Sequence, residues 1–240
     1  MAAPTFVADY DAAWNSFTSP KTASVTTAVD DVLVICRAAE SEVSTFSLPT
    51  GGTGTYANQE DLGPTDYTRV RIDTVSAGVT AQTYTLSCAC SAAGLWWGAA
   101  TARFSGSTGI GAAESTTGAS GGPSLDITTT QDNSALVVIV GDWAAVDGTT
   151  RTWRTVNGTT PTAGNGLELN YFRSAAHYTT YLAYYPDAGA AGLKTVGLSA
   201  PTGQKFTIAA VEVKGTASAQ GPPRPPVLAP SRAAIQASTW

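Results

Sequence analysis

A single histidine, His177, would have to serve every acid–base arrangement this chain could build. Gly118-Ala119-Ser120-Gly121-Gly122 has the G-x-S-x-G form of a nucleophile elbow. That motif works because a strained strand-to-helix turn lifts the serine beside an oxyanion hole. Here the flanks are TT and PSLDITTT, with no helix to follow, and His177 sits in the strand-like run AAHYTTYLAYY. A Gly/Ser loop is the expected reading, with no hydrolase site. Gly109-Ile110-Gly111 and Gly51-Gly52-Thr53-Gly54 lack the spacing and following helix of a dinucleotide fingerprint, and no Gly-Lys-Ser/Thr of a P-loop occurs. Asp9, Asp11, Asp30 and Asp31 are the hard oxygen donors calcium takes, but they do not form the D-x-D-x-D-G loop and read as solvated carboxylates near strand ends. Paired carboxylates for glycoside hydrolysis stay open, since their spacing is spatial, but nothing positive points to them. Cys36, Cys88 and Cys90 are odd in number and lack partners at zinc spacing, so they are expected as small buried hydrophobes. The expectation is a non-enzyme with no metal and no cofactor.

Aromatic residues are the remaining chemistry. Trp143, Trp153, Tyr171, Phe172, Tyr178, Tyr181, Tyr184 and Tyr185 crowd the second half, most of them expected in the core. Trp96 and Trp97 are adjacent, so a strand would put their rings on opposite faces. Trp97 and one of Tyr184 and Tyr185 are expected as outward rings, able to stack on a sugar face or anchor a protein interface. Asn157-Gly158-Thr159 fits a glycosylation sequon and reads more simply as a turn.

The elements that must position these residues are strands. Charged residues are only 13% of the 240-residue chain, below the roughly 25% of ordinary globular domains. Thr, Ala, Ser and Gly take their place, which suits strands and tight turns. Short apolar or alternating runs recur at residues 32–38, 67–75, 83–89, 95–104, 136–143, 178–185, 195–199 and 206–213, with Gly, Asn and Pro between them. This pattern predicts an all-β, antiparallel β-sandwich over residues 1–215. Residues 105–123, rich in Gly, Ser and Thr, are expected as a crossover loop. The net charge of −5 disfavours a phosphate backbone as partner, so no nucleic acid is expected. No basic leader with an apolar core and no apolar run long enough for a bilayer is seen, so the expectation is synthesis in the cytoplasm and no membrane insertion.

Two pairs of segments resemble each other. DVLVICRAAE from Asp31 aligns with SALVVIVGDW from Ser134, and YTLSCACSAAGLWWGAATARFSG from Tyr84 with KTVGLSAPTGQKFTIAAVEVKG from Lys194. Internal duplication and chance likeness among Thr/Ala/Gly-rich strands both fit. If the halves are duplicates, they would pack face to face. Residues 216–240 change character, with five prolines that exclude a central strand and favour an extended polyproline arm. Val227, Leu228, Ile235 and Trp240 are its expected anchors on a neighbouring subunit.

FVADYDAAW near the start, RTWRTVNG from Arg151, YYPDAGAAG from Tyr184 and TVGLSAPTGQKFTIAAVEVKG from Thr195 together resemble a family of virion proteins. These are the β-sandwich minor tail or capsid-surface decoration proteins of tailed phages infecting actinobacteria. The resemblance spans roughly residues 5–215 and rests on strand-and-turn sequences. It implies a jelly-roll-like sandwich on the particle exterior, with other virion proteins as partners and host attachment as a second task. A homo-oligomer, in particular a trimer, and a host-surface glycan are the further partners expected. The other reading of the chain is a carbohydrate-binding module for host cell-wall glycan.

Overall fold

A computed structural model describes residues 2–91 and 94–216. Among them there is no helix, hence none long and apolar enough to cross a membrane. The first half contains β1 (Thr5–Ser16), β2 (Lys21–Thr27), β3 (Val32–Ala39), β4 (Tyr56–Leu62), β5 (Arg69–Val75), β6 (Gln82–Cys88) and β7 (Trp97–Ser105). They form a five-stranded sheet in the order β1-β7-β3-β5-β4 and a two-stranded sheet, β2-β6. The pairs β1 with β7, β2 with β6 and β3 with β5 are nested and antiparallel. A long antiparallel ribbon folded back on itself gives this order, which is jelly-roll winding.

The second half repeats it. Its strands are β8 (Ser107–Gly118), β9 (Ser124–Thr129), β10 (Ala135–Asp142), β11 (Thr152–Trp153), β12 (Glu168–Arg173), β13 (Thr179–Tyr185), β14 (Gly192–Ala200) and β15 (Phe206–Gly215). The large sheet has the order β8-β15-β10-β13-β12, and β9 pairs with β14, whose other edge carries β11. Register agrees as well as order. Val32 faces Phe104 and Ala39 faces Trp97, as Ala135 faces Val213 and Asp142 faces Phe206. A bulge follows Phe6–Phe104 in one half and Ile110–Val213 in the other. A second bulge separates Asn58 from Glu60 and, in the other half, Glu168 from Asn170. Asp30 and Asn133 hold matching turn positions at φ 60° and 56°, where a short polar side chain tolerates the left-handed region. Shared topology, register and bulges settle the likeness of the two halves as an internal duplication, because chance similarity of composition does not reproduce bulge positions.

The two large sheets pack against each other. One core between them joins Val32, Val34, Cys36, Val70, Ile72 and Phe104 to Val137, Ile139, Leu182, Tyr184, Val211 and Val213. The opposite face of each large sheet packs on its own small sheet, with Leu33, Ile35, Trp97 and Leu86 in one half. Leu136, Val138, Tyr185, Ile127 and Val196 do the same in the other. The central strands of both large sheets are therefore covered on both faces, which is why β3 and β10 are buried throughout and read as apolar runs broken only by Arg37 and the final Asp142. Each fully buried Val, Leu or Ile contributes roughly 1.5–3 kcal/mol.

Residues 105–123 depart from the expected crossover loop. Most of them form β8, paired along its length with β15. Its small residues fit the crowding there: a Cβ on Gly111 would meet the Glu212 carboxylate at 2.0 Å, and one on Gly118 the Phe206 ring at 2.5 Å. The halves are joined instead by a tight turn at Gly106, φ 65°. The arm residues Val227, Leu228, Ile235 and Trp240 lie outside the described residues.

Candidate functional site

Although Ser41 lines the same cleft, no serine hydroxyl among the described residues bonds the imidazole of His177. Its Nδ1 lies 2.7 Å from Glu40 Oε2. Ser41, nearby, donates to Glu42 Oε2 at 2.8 Å. Asp31 accepts from Arg103 Nε and the Ala28 amide, both at 2.5 Å, and Asp11 from Trp14 Nε1 and Asn170 Nδ2. No group of three or more His, Cys, Asp or Glu placed to hold a metal occurs among the described residues. All three cysteines are free and buried; burial pushes the Cys88 thiol up to about 11 and Cys36 further. Asn157 and Gly158, at φ 45° and 74°, form the tight turn expected, with Val156 and Thr159 paired across it.

The outward aromatics are a correction. Trp97 is wholly buried, between the first large sheet and its small partner. Tyr185 is wholly buried in the matching place of the second half, where its hydroxyl donates to Arg154 O at 3.0 Å. Tyr184 is buried between the large sheets, stacked on Phe6. Alternation along each strand is as expected, but on the inner strands β7 and β13 that carry these rings neither face reaches solvent, so neither parity yields an exposed ring.

Partly exposed aromatics gather elsewhere, at one end of the axis relating the halves. β3 packs across β10, β1 faces β12 and β4 faces β8. The order of strands is thus reversed from one sheet to the other, which places a pseudo-two-fold axis parallel to the strands. Glu40, just past β3, and Trp143, just past β10, therefore emerge together and line one cleft of about 260 Å³ with Leu95, Ser41, Ala176 and His177. Backbone bonds hold both in the same way. The Glu40 amide donates to Trp96 O and the Trp143 amide to Lys205 O, each at 2.9 Å.

Around this mouth the equivalent side chains differ. Trp96 stacks on His177 at 4.6 Å between ring centroids and on Phe172 at 6.3 Å. At the related place Lys205 Nζ lies 4.4 Å above the Tyr67 ring. Behind the mouth, burial pushes the Asp142 carboxyl up to about 7, against the pull of the Ala144 and Val146 amides that it accepts at 2.8 and 3.0 Å. The signal for this site was already in the sequence: the aligned segments DVLVICRAAE and SALVVIVGDW end on Glu40 and Trp143. What the sequence withheld is that two chain positions so far apart share a cleft.

Fold and site together define a tandem of two jelly-roll β-sandwiches joined through their large sheets, with an aromatic mouth at one end of the junction. Comparison of the chain with protein-family models, with curated proteins and with solved structures gives no match.

Proposed function

We propose that this chain is a non-enzymatic structural protein of a tailed-phage particle, displayed on the particle exterior as a minor tail or capsid decoration protein. The observation that carries the reading is the junction of the two large sheets. Each half spends its broadest apolar face on the other, leaving a four-layered block whose outward surfaces are small sheets, strand edges and Thr-rich turns. Such a block acts through shape and contact area, and jelly rolls recur in capsid and lectin domains. The sequence resemblance to virion proteins of actinobacterial phages points the same way. In this reading residues 216–240 join the block to neighbouring virion subunits, and a local symmetry axis of the particle sets the number of copies.

Mass spectrometry of purified particles, with antibody labelling of intact ones, tests the proposal. The full chain should be present and accessible to antibody. The chain cut after residue 215 should fold yet be missing from particles. Absence of the full chain from purified particles would overturn the structural role; normal incorporation of the truncated chain would overturn the arm.

A further inference from the structure

We infer that the cleft lined by Glu40, Trp143 and His177, with Trp96 stacked on the imidazole, binds one neutral sugar ring. The inference does not depend on the particle role and rests on how the pseudo-symmetry breaks. Elsewhere at the junction, polar contacts are kept in kind: Asn170 bonds Asp11, and Ser115 bonds Glu60 at the related place. At this end the backbone bonds are kept but the side chains are not. Glu40 stands opposite Trp143, Trp96 corresponds to Lys205, and His177 to Tyr67. An apolar–polar pair of walls replaces two like ones.

The chemistry of the walls selects the ligand. Trp143 is half-buried, and no protein group among the described residues bonds its indole N–H. A flat ring with one free donor suits the C–H face of a pyranose and one of its hydroxyls. Across the cleft, Glu40 Oε2 lies 2.7 Å from His177 Nδ1 and has no hydrogen-bond donor from any other group among the described residues. The Trp96 ring, stacked between Phe172 and His177, fixes that imidazole, leaving its Nε2 for a second hydroxyl. Lys205 puts a cation at this end, but Glu42 as well as Glu40 stands there, so charge disfavours an anion, and the choline control below tests for a cation. At about 260 Å³ the cleft falls just below the roughly 300 Å³ where pockets for larger molecules begin, which fits one ring and not a chain.

The test uses the full chain and the methyl glycosides of glucose, galactose, mannose, rhamnose, arabinose and N-acetylglucosamine, followed by saturation-transfer NMR and tryptophan fluorescence. At least one should bind saturably, with a dissociation constant on the order of 1 mM, a normal strength for a single small ligand ring. Trp143→Ala should weaken it about tenfold, the loss of one stacking platform. Ala176→Trp, at an exposed position on the rim, should fill the cleft and abolish binding without touching the core. Leu193→Ser, exposed on β14, should change nothing. No saturable binding by any of the six glycosides, full binding by Ala176→Trp, or saturation by choline with none by the sugars would each overturn the inference. Particle incorporation of Trp143→Ala should stay normal, which separates this site from the structural role.

Discussion

Asn170 donates to the Asp11 carboxylate at 3.2 Å across the junction of the two halves. Its counterpart, Ser115 to Glu60 at 2.6 Å, keeps the contact and exchanges the roles, because Ser115 is the equivalent of Asp11 and Glu60 that of Asn170. β12 meets β1 in one case and β4 meets β8 in the other. A surface that pairs with itself about a two-fold axis is the isologous interface of a homodimer, here enclosed within one chain. The chemistry of the matching turns has since diverged: Asp31 holds Arg103 in the first half, whereas Ser134 donates to Glu212 at 2.7 Å in the second, so the acid has moved from turn to strand. Burial alone would raise Glu212, but bonds from the Ala112 amide, Ser134 and Thr130 outweigh it and hold the carboxyl below its usual range.

Because each half seals the other's broadest apolar face, the halves should reassemble without the turn that joins them. Residues 2–106 and 107–216, expressed together as two chains, are expected to co-elute as one complex in size-exclusion chromatography. If each half ran alone as a soluble monomer, the junction would not be the seal described.

The first half contains a buried ionic network where the second is apolar. Arg37 and Asp73 pair with both side chains fully buried, and Arg71 bonds the same carboxylate at 2.8 Å. Arg37 and Arg71 also donate to the carbonyls of Ser47 and Phe46, tying the loop before β4 to the sheet. The matching positions of the second half are Val140 and Ala183. Asp73→Ala should cost about 3–5 kcal/mol, because it strands the fully buried Arg37 guanidinium, whereas Arg71 keeps Asp61 at 2.9 Å. Arg37→Met with Asp73→Leu should be more stable than Asp73→Ala alone, as judged by urea midpoints.

The three thiols should be silent in the native protein. The thiolate is the reactive form, and burial both shields these groups and pushes Cys88 up to about 11. At pH 8 an aromatic disulfide reagent should label no cysteine within minutes in native buffer and all three in denaturant. Rapid native labelling would mean that the core opens far more readily than its packing implies.

The sequence disclosed the inner strands of the large sheets, with β6 and β14 of the small ones, and missed the edge strands of the large sheets. β3, β7, β10, β13 and β15 have apolar residues on both faces, so their composition announces them, while β5 shows itself by alternation, with Val70 and Ile72 between charged neighbours. β4 and β8 are edge strands of polar or small residues, held mainly by backbone bonds to one neighbour, which leave no mark in hydropathy. For the same reason Trp97 was legible as a strand residue but not as a buried one. Periodicity gives the two faces of a strand; it does not say that a second half of the chain will cover the face left over.

Asp142 sets the expected pH response. Its carboxyl rises from the ordinary 3.8 to about 7, chiefly because burial disfavours the charged form. The folded chain therefore holds this proton more tightly than the unfolded one. Below about pH 4 the group is protonated in both states and has no effect; from pH 4 to 7 stability falls as pH rises, and above 7 the full cost remains. At about 1.4 kcal/mol per unit, that cost is a few kcal/mol. Asp142→Asn cannot ionise and keeps an oxygen for the Ala144 or Val146 amide, so it should gain on the parent protein between pH 4 and 8. Urea midpoints at the two ends of that range measure the gain. Equal differences at both would mean that Asp142 does not change its charge in the folded chain, and that its two amide partners stabilise the carboxylate enough to offset burial.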